Sequence, residues 1–233
     1  MDSDELEKYQ EVQRIAKRTM KYLRSYIREG VTEQDIAHAS DDFMRASGVS
    51  SFWYHGVGTL VLVGERTALS VSGRDYASSS EAVKPNDLVT VDLSPDIDSY
   101  WGDLARSFVI VRGEAEVPDG KTHGLFSGIR AEKFLHKMLM SLACPSMTFE
   151  ELHTAMNAAI GGMGYSNLDF RGNLGHSIEK DMGDRVYIEK GNRSKLSDAG
   201  LFTFEPHIQA KGSPFGYKME NIYYFDAGKL RML

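Results

Sequence analysis

The sequence has a single cysteine, no long apolar run and no excess of basic residues. Cys144 has no partner for an internal disulfide, which suits a reducing cytoplasm, and next to Pro145 it is predicted to be a small buried residue. No apolar stretch approaches the ~18–20 residues that a membrane span needs, and the acidic start Met1-Asp2-Ser3-Asp4-Glu5 is unlike a secretory signal. A net charge of −6 argues against nucleic acid or an anionic membrane as the main partner. We therefore expect a cytoplasmic globular protein, and the sequence leaves both a monomer and a homodimer open.

Two helix pairs are predicted, and the second pair repeats the first. Residues 5–28 and 125–143 carry apolar side chains at three- and four-residue steps, which is typical of amphipathic helices. Each is followed by a helix that begins after a threonine, Thr32 or Thr148, with an acidic residue three positions on, and ends near a glycine. The two threonines and the two glycines are both 116 residues apart, which indicates an internal duplication.

Sequence that favours strands follows each helix pair. In the first half these are residues 59–63, 68–71, 88–93 and 101–111, with a turn at 95–98, and in the second half 201–208 and 218–225 flank a turn at 211–214. We predict an α+β protein in which two helices-plus-hairpin units, related by a pseudo-twofold axis, surround a curved antiparallel sheet. Residues 1–233 are expected to form a single domain, with repeats at about 5–112 and 125–228 joined by the polar segment 113–124.

Two pairs of acidic residues fall on the predicted hairpins. Asp92 and Asp103 are centred on position 97.5 and Glu205 and Glu220 on 212.5, each inside a predicted turn. Residues placed symmetrically about a hairpin turn lie opposite each other, with Cβ atoms about 4.5–5.5 Å apart. The offsets between the pairs, 113 and 117 residues, bracket the repeat of 116. Four converging carboxylates repel unless their pKa values rise or cations lie between them, so we expect a metal site. Four unrelated surface acids are the alternative.

His176 is the predicted fifth ligand. It lies in Gly172-Asn173-Leu174-Gly175-His176-Ser177, where glycine allows the backbone and the imidazole ring to approach a crowded centre. It also precedes the strand of Glu205, although a lone histidine is often a structural residue.

Together these residues resemble the pita-bread metallohydrolase family, which includes methionine aminopeptidase, Xaa-Pro aminopeptidase, prolidase and creatinase. The resemblance covers nearly the whole chain and implies the pita-bread fold. It rests on five segments in order: Val91-Asp92-Leu93-Ser94, Trp101-Gly102-Asp103-Leu104-Ala105-Arg106-Ser107-Phe108, Gly175-His176-Ser177-Ile178, Phe202-Thr203-Phe204-Glu205-Pro206 and Met219-Glu220-Asn221.

The resemblance implies two divalent metal ions and a role for each ligand. Asp103 and Glu220 would bridge the ions, Asp92 would complete one site, and His176 and Glu205 the other. The ions would acidify a water nucleophile and polarise the scissile carbonyl, and Glu205 would carry a proton to the leaving amine. Four carboxylates and one imidazole suit Mn, Co, Fe or Zn without selecting among them.

The two substrate-contacting histidines of the family have no counterpart at the expected positions. At 18 and 17 residues before Asp92 the chain has Arg74 and Asp75, and seven residues after His176 it has Gly183. This departure leaves the metal ligands intact and concerns the substrate and the activity.

Other side chains are candidates to replace those histidines. Tyr54-His55-Gly56 resembles a segment that lines the methionine aminopeptidase pocket, so Tyr54, His55 and Arg74 are expected to contact substrate. His55 and His207 are the candidate catalytic groups besides Glu205, because His207 follows Glu205 by two residues and shares its strand face. Arg74 or Lys180 would anchor a carboxylate or stabilise an oxyanion. Taken singly, each is more readily explained as a structural or solvated residue.

Three functions fit the sequence. The first is a dinuclear metal-dependent aminopeptidase that releases N-terminal residues from small peptides, including Xaa-Pro peptides. The second is a metalloamidohydrolase for a small non-peptide amide, which would explain the missing histidines. The third is a metal-bound, non-catalytic interaction protein, against which the retention of all five ligands counts. A panel of peptide and amide substrates distinguishes the three.

Overall fold

The computed structural model describes residues 2–117, 124–169 and 171–233. Its helices are α1 (Ser3–Tyr26), α2 (Glu33–Ala46), α3 (Phe126–Leu142) and α4 (Phe149–Gly162). The strands of the first half are β1 (Ser51–Phe52), β2 (Thr59–Val63), β3 (Asp87–Leu93), β4 (Pro95–Ile97), β5 (Tyr100–Trp101), β6 (Leu104–Val111) and β7 (Glu114–Glu116). Those of the second half are β8 (Tyr165–Asn167), β9 (Phe202–Phe204), β10 (His207–Ala210), β11 (Gly216–Lys218), β12 (Asn221–Asp226) and β13 (Lys229–Met232). Of the predicted join at 113–124, residues 118–123 lie outside the described residues.

Matching caps start the two short helices. Thr32 accepts a hydrogen bond from the Asp35 amide, and the Asp35 side chain accepts one from the Thr32 amide. Thr148 and Glu151 make the same reciprocal pair before α4. Both ends of α4 lie 116 residues after the ends of α2, so the predicted spacing holds at each boundary. The limits of the single domain and of its two repeats stay a prediction.

All strand pairs in the described residues are antiparallel. The buried apolar side chains form two large clusters. The order β2-β3-β6-β7 forms the largest sheet, against which α1 and α2 pack through buried apolar residues such as Ile15, Leu23 and Ile36. In the second half α3 and α4 pack against β9 to β12 through residues such as Leu135 and Phe149. The α+β class is confirmed. None of the helices in the described ranges has the length and apolar character that a membrane crossing requires.

The first hairpin turns one residue later than predicted. Ile97 pairs with Tyr100, so the turn consists of Asp98 and Ser99, with φ angles of 54° and 67°. Two adjacent left-handed residues are characteristic of the type I′ turn, whose twist fits a hairpin. Asp92 therefore pairs with Ala105, and Asp103 is a diagonal neighbour on the same face of the sheet. The prediction that Asp92 and Asp103 lie directly opposite each other is wrong.

The second hairpin has the predicted register. Phe204 pairs with Asn221 and His207 with Lys218, which centres the hairpin on 212.5. Glu205 and Glu220 lie between these two pairs, so they face each other across the hairpin.

The strands are interrupted at three predicted ligands, where the sequence favoured continuous strands. The breaks at Asp103, Glu205 and Glu220 free each backbone N–H from the hairpin ladder. Those amides donate instead to Gln13 Oε1 at 3.1 Å, to the Leu174 carbonyl at 2.9 Å and to the Ala105 carbonyl at 3.0 Å, respectively. Each break thereby ties a ligand to a neighbouring segment of the chain.

Two smaller predictions are wrong. Residues 68–71 do not form a strand, because Gly64–Ala68 winds into a 3-10 turn in which the Thr67 hydroxyl donates to the Gly64 carbonyl. Cys144 is exposed, because it lies in the connection that follows α3.

Candidate metal centre

The five predicted ligands converge at one place. Ligand atoms of Asp103, His176 and Glu220 lie within 4.8 Å of one another, and so do those of Asp92, Glu205 and Glu220. Glu220 belongs to both groups, as a residue that bridges two ions would. The grouping of Asp92 with Glu205 differs from the roles implied by the family resemblance, which put Asp92 with Asp103.

His176 is held in the orientation that metal binding needs. Its Nδ1 lies 2.9 Å from the Ser177 carbonyl, so Nδ1–H donates there and the lone pair of Nε2 is left for an ion. Nε2 is 3.5 Å from Asp103 Oδ2 and 3.7 Å from Glu205 Oε1. Burial, and then the nearby Arg185 guanidinium, lower the pKa of His176 to about 3, so the ring is neutral near pH 7.

Gly175 is required for this placement. Its φ is +137°, and a Cβ atom there would lie 2.3 Å from the Thr203 carbonyl oxygen. The close approach allows the His176 amide to donate to Thr203 Oγ1 at 3.1 Å, while the Thr203 amide donates to the His176 carbonyl at 2.7 Å. The glycine beside the histidine therefore has the role that the sequence indicates.

Without metal ions, the surroundings of the buried acidic residues of the centre disfavour their charged forms. Burial, then the charge of Asp92, raises the pKa of Asp103 well above its ordinary value, and burial, then Asp103, does the same for Glu220. Neither oxygen of the buried Glu220 carboxylate, in its ionised form, has a hydrogen-bond donor among the described residues. Unpartnered carboxyl oxygens beside other carboxylates and a neutral imidazole are donors of the kind that divalent ions bind, so this set fits two such ions.

Lys218 is a member of the centre that sequence reasoning missed. Its Nζ lies 2.5 Å from Asp92 Oδ2 and 3.0 Å from Glu205 Oε2. Burial alone lowers the pKa of Lys218, but the carboxylates around it outweigh burial and raise that pKa well above its ordinary value. The available signal was its position two residues before Glu220, which puts both side chains on one strand face.

A buried polar network behind the centre fixes the Glu220 segment. The Arg106 guanidinium donates to the Glu220 carbonyl at 2.5 Å and to Asn221 Oδ1 at 2.6 Å. His136 reaches the Met219 carbonyl from α3 at 3.0 Å, and burial lowers the pKa of its ring to about 3. Neither Arg106 nor His136 was predicted to support the site, because both belong to elements distant in sequence from Glu220.

A cleft of about 680 Å³ opens over the predicted ligands. Tyr54, His55 and Arg74 line it, as expected for substrate contacts, and so does His207. The Lys180 side chain lies apart, 77% exposed and 4.0 Å from Glu5, so the structure does not bring it to the cleft.

His207 is fixed within the cleft wall. Its Nε2 lies 2.7 Å from the Thr67 carbonyl, to which the ring therefore donates, and only Nδ1 is left, as an acceptor. Burial lowers the pKa of His207 to about 4. In this tautomer His207 has no N–H to offer to a substrate oxygen. His55, by contrast, is exposed, with a φ of 55°.

An acidic cluster with one neutral histidine, set on paired hairpins below a cleft, is a donor set suited to divalent metal ions. The chain belongs to metallopeptidase family M24, whose model matches residues 7–227. Members of this family are dinuclear divalent-metal enzymes, and the resemblance to pita-bread metallohydrolases is thereby confirmed.

Individual relatives agree with this assignment. The chain is 28% identical over 186 residues to an Xaa-Pro dipeptidase of Lactobacillus helveticus, which covers 80% of this chain and 46% of that protein. It is 23% identical over 205 residues to an Xaa-Pro dipeptidase of Pyrococcus furiosus, covering 88% of this chain and 54% of that protein. The chain thus spans about half the length of these relatives.

Solved structures share the fold. An X-Pro aminopeptidase from Thermotoga maritima superposes with a TM-score of 0.81 at 23% identity, covering 100% of this chain and 61% of that one. A methionine aminopeptidase from the same organism superposes with a TM-score of 0.77 at 16% identity, covering 100% of this chain and 97% of that one. The predicted pita-bread fold is confirmed.

Proposed function

We propose that the protein is a metal-dependent aminopeptidase or dipeptidase that acts on short peptides, with Xaa-Pro peptides as the first candidates. The observation that carries the proposal is the convergence of Asp92, Asp103, His176, Glu205 and Glu220, all of which except the buried Glu220 line an open cleft. The names of the relatives, which are Xaa-Pro dipeptidases, support the choice of substrate. We also propose that the protein works in the cytoplasm, which suits its single cysteine.

The chain supplies the groups that such a reaction requires. Asp92, Asp103, His176, Glu205 and Glu220 would hold the two ions, which when bound make water more acidic and polarise a scissile carbonyl. Glu205 borders the cleft and is part of the cluster, so its carboxylate is placed to carry a proton to the leaving amine. Lys218 holds the other oxygen of Glu205 and thereby limits the orientations of that carboxylate.

We assign substrate contacts to Tyr54, His55 and Arg74, which line the cleft. His55 is the group that we propose to replace a missing family histidine, because it is exposed and lines the cleft. His207 is proposed as a hydrogen-bond acceptor for substrate, since its one N–H is directed to Thr67.

The test is hydrolysis by protein that has been stripped with a chelator and reloaded with Mn, Co, Fe or Zn. The substrates are Xaa-Pro dipeptides, unblocked tripeptides and small non-peptide amides of similar size. We expect metal-dependent release of the N-terminal residue from at least one peptide class, and loss of that activity in the Glu220→Gln variant.

Two outcomes would contradict the proposal. Cleavage of an amide but of no peptide would favour an amidohydrolase, as the Arg74, Asp75 and Gly183 substitutions allow. Two bound ions with no hydrolysis of any substrate would favour a non-catalytic interaction protein.

A further inference from the structure

Arg185 lines the same cleft as the predicted metal ligands, although no sequence motif marks it. The backbone of residues 186–188 pairs with that of residues 175–177, through amide donations from Ser177 to Val186 at 2.8 Å and from Ile188 to Gly175 at 2.8 Å. This pairing fixes the start of the Arg185 side chain relative to His176. Its charge is the second cause, after burial, of the lowered pKa of His176, which also indicates proximity.

Aromatic rings hold the Arg185 guanidinium in place. Its central carbon lies 5.2 Å from the centroid of the Trp53 ring and 5.6 Å from that of Tyr187. Its Nε donates to the Met182 carbonyl at 2.9 Å. Both rings also neighbour the imidazole of His176, at 5.7 and 6.1 Å between centroids. The guanidinium is therefore oriented in advance, which lowers the entropic cost of binding a ligand.

The two terminal nitrogens of Arg185 make no hydrogen bond or ion pair with the residues that the structure describes. Within residues 2–117, 124–169 and 171–233, no carboxylate lies within 4.0 Å of the Arg185 guanidinium and neither terminal nitrogen has a hydrogen-bond partner. Asp75 and Asp169 line the same cleft, yet neither pairs with it. Lys218, the buried cation of the centre, is already paired with two carboxylates.

An arginine that is held in position and has unpaired terminal nitrogens is suited to bind an anion from outside the chain. The guanidinium fork matches a carboxylate with two parallel N–H···O bonds. Asp92 and Glu205 are paired with Lys218, and none of the predicted ligand carboxylates lies within 4.0 Å of the Arg185 guanidinium. An anion bound to Arg185 would lie within the cleft and close to the His176 side of the metal centre.

We propose that Arg185 binds a carboxylate of the substrate and so selects peptides that carry one near the scissile bond. This inference rests on the proposed peptidase function, whose substrate class it narrows. The carboxylate is either the C-terminus of a short peptide or an acidic side chain, and both would use the same two terminal nitrogens. Arg185 then determines specificity, while the metal ligands perform the chemistry.

The test measures binding apart from catalysis. Three hydrolysis-resistant dipeptides, in which a methylene replaces the scissile carbonyl, are titrated calorimetrically into metal-loaded protein: Ala-Gln amide, Ala-Gln and Ala-Glu amide. The first has no carboxylate, the second a terminal one and the third a side-chain one. We expect at least one of the two carboxylate ligands to bind about 10- to 100-fold more tightly than Ala-Gln amide, the range for a hydrogen-bonded charged group.

Variants assign this difference to Arg185. Arg185→Met should bind all three ligands with nearly the affinity that wild type has for Ala-Gln amide, and Arg185→Lys should keep part of the difference. The matched control is Arg193→Met, which removes the same charge from an exposed position next to Glu150, outside the cleft. In kinetics on cleavable peptides, Arg185→Met should raise KM for carboxylate substrates more than it lowers kcat.

Equal binding of the three ligands by wild type would overturn the proposal, even if Arg185→Met failed to fold. A uniform loss for all three in Arg185→Met would show that Arg185 only supports the Trp53 segment. If no peptide is hydrolysed but the carboxylate preference and its loss in Arg185→Met are found, the peptidase proposal fails while the Arg185 site stands.

Discussion

Asp92 and Asp103 carry the same functional group in different surroundings. Asp92 is part-exposed and bound to Lys218, whereas Asp103 is buried with His176 and Glu220. In the roles implied by the family, Asp103 bridges the two ions and Asp92 serves one. We therefore expect Asp103→Ala to bind fewer than about one ion per chain after dialysis and Asp92→Ala to keep about one, measured by elemental analysis.

Asp226→Ala is the control for the two aspartate variants, because Asp226 is exposed and pairs with Arg231 away from the cleft. Both ligand variants should stay folded, because Asp103→Ala removes a buried, repelling carboxylate and Asp92→Ala leaves Lys218 paired with Glu205. Full metal content in Asp103→Ala would mean that the family roles do not transfer to this chain.

The proposed metal ligands could be recognised from the sequence, whereas the residues that support them could not. The offsets from Asp92 to Glu205 and from Asp103 to Glu220, 113 and 117 residues, bracket the repeat of 116, and this approximate symmetry singled out the four acids. Lys218 looks like any strand lysine in sequence, because its importance depends on which carboxylates its Nζ meets. Arg185 is equally unmarked, since the Trp53 ring against which it stacks lies 132 positions earlier in the chain.

At the scale of elements, the first hairpin carries strain that a substitution can relieve. Ser99 has a φ of 67°, which costs a non-glycine residue about 1–2 kcal/mol, while glycine loses about 0.5–1 kcal/mol through its freer unfolded chain. Ser99→Gly should therefore stabilise the protein by about 0.5–1 kcal/mol, a rise of about 1–4 °C in Tm for a chain of this size. Calorimetric melting measures it.

Ser99→Val provides the opposite test, because a β-branched side chain tolerates a left-handed backbone poorly. It should lower Tm, while a fall in Tm for Ser99→Gly would show that the serine side chain itself stabilises the turn. Both changes leave the Ser99 amide able to donate to Asp96.

The first hairpin also shows which features of the helices and strands could not be predicted from local sequence patterns. Capping residues predicted the starts of α2 and α4, because a cap is a local interaction between positions three apart. The centre of the first hairpin was placed one residue early, since Pro95, Asp96 and Asp98 are residues common in turns. Only the pairing of Pro95–Ile97 with β1 and β5 makes that segment a strand.

At the scale of the whole molecule, metal binding should determine stability. Ions relieve the repulsion among buried carboxylates of the folded state and have no comparable site in the unfolded chain. At 100 times Kd, each site contributes about 2.7 kcal/mol, so two sites should raise Tm by about 10–20 °C. An unchanged Tm with calorimetry that detects no binding would contradict the dinuclear centre.

Acidification should reduce this stabilisation. The pKa values of Asp103 and Glu220 are raised, so these carboxyls of the metal-free protein gain protons as the pH falls, and the ions must displace those protons. His176 does not oppose the effect, because its pKa of about 3 keeps the ring neutral. The rise in Tm on adding metal should thus be larger at pH 8 than at pH 6. An equal rise at both values would contradict this assignment.

The packing of tryptophan rings around His176 has a consequence for the fluorescence of the protein. Trp53 and Trp101 are the two tryptophans of the chain, with ring centroids 4.2 Å apart, and both lie about 6 Å from the His176 ring. All indole emission of this protein therefore originates at one spot, next to a metal ligand. A paramagnetic ion such as Co²⁺ would quench that emission at close range, whereas diamagnetic Zn²⁺ would not. The intrinsic tryptophan fluorescence of the protein should therefore distinguish a bound paramagnetic ion from a diamagnetic one.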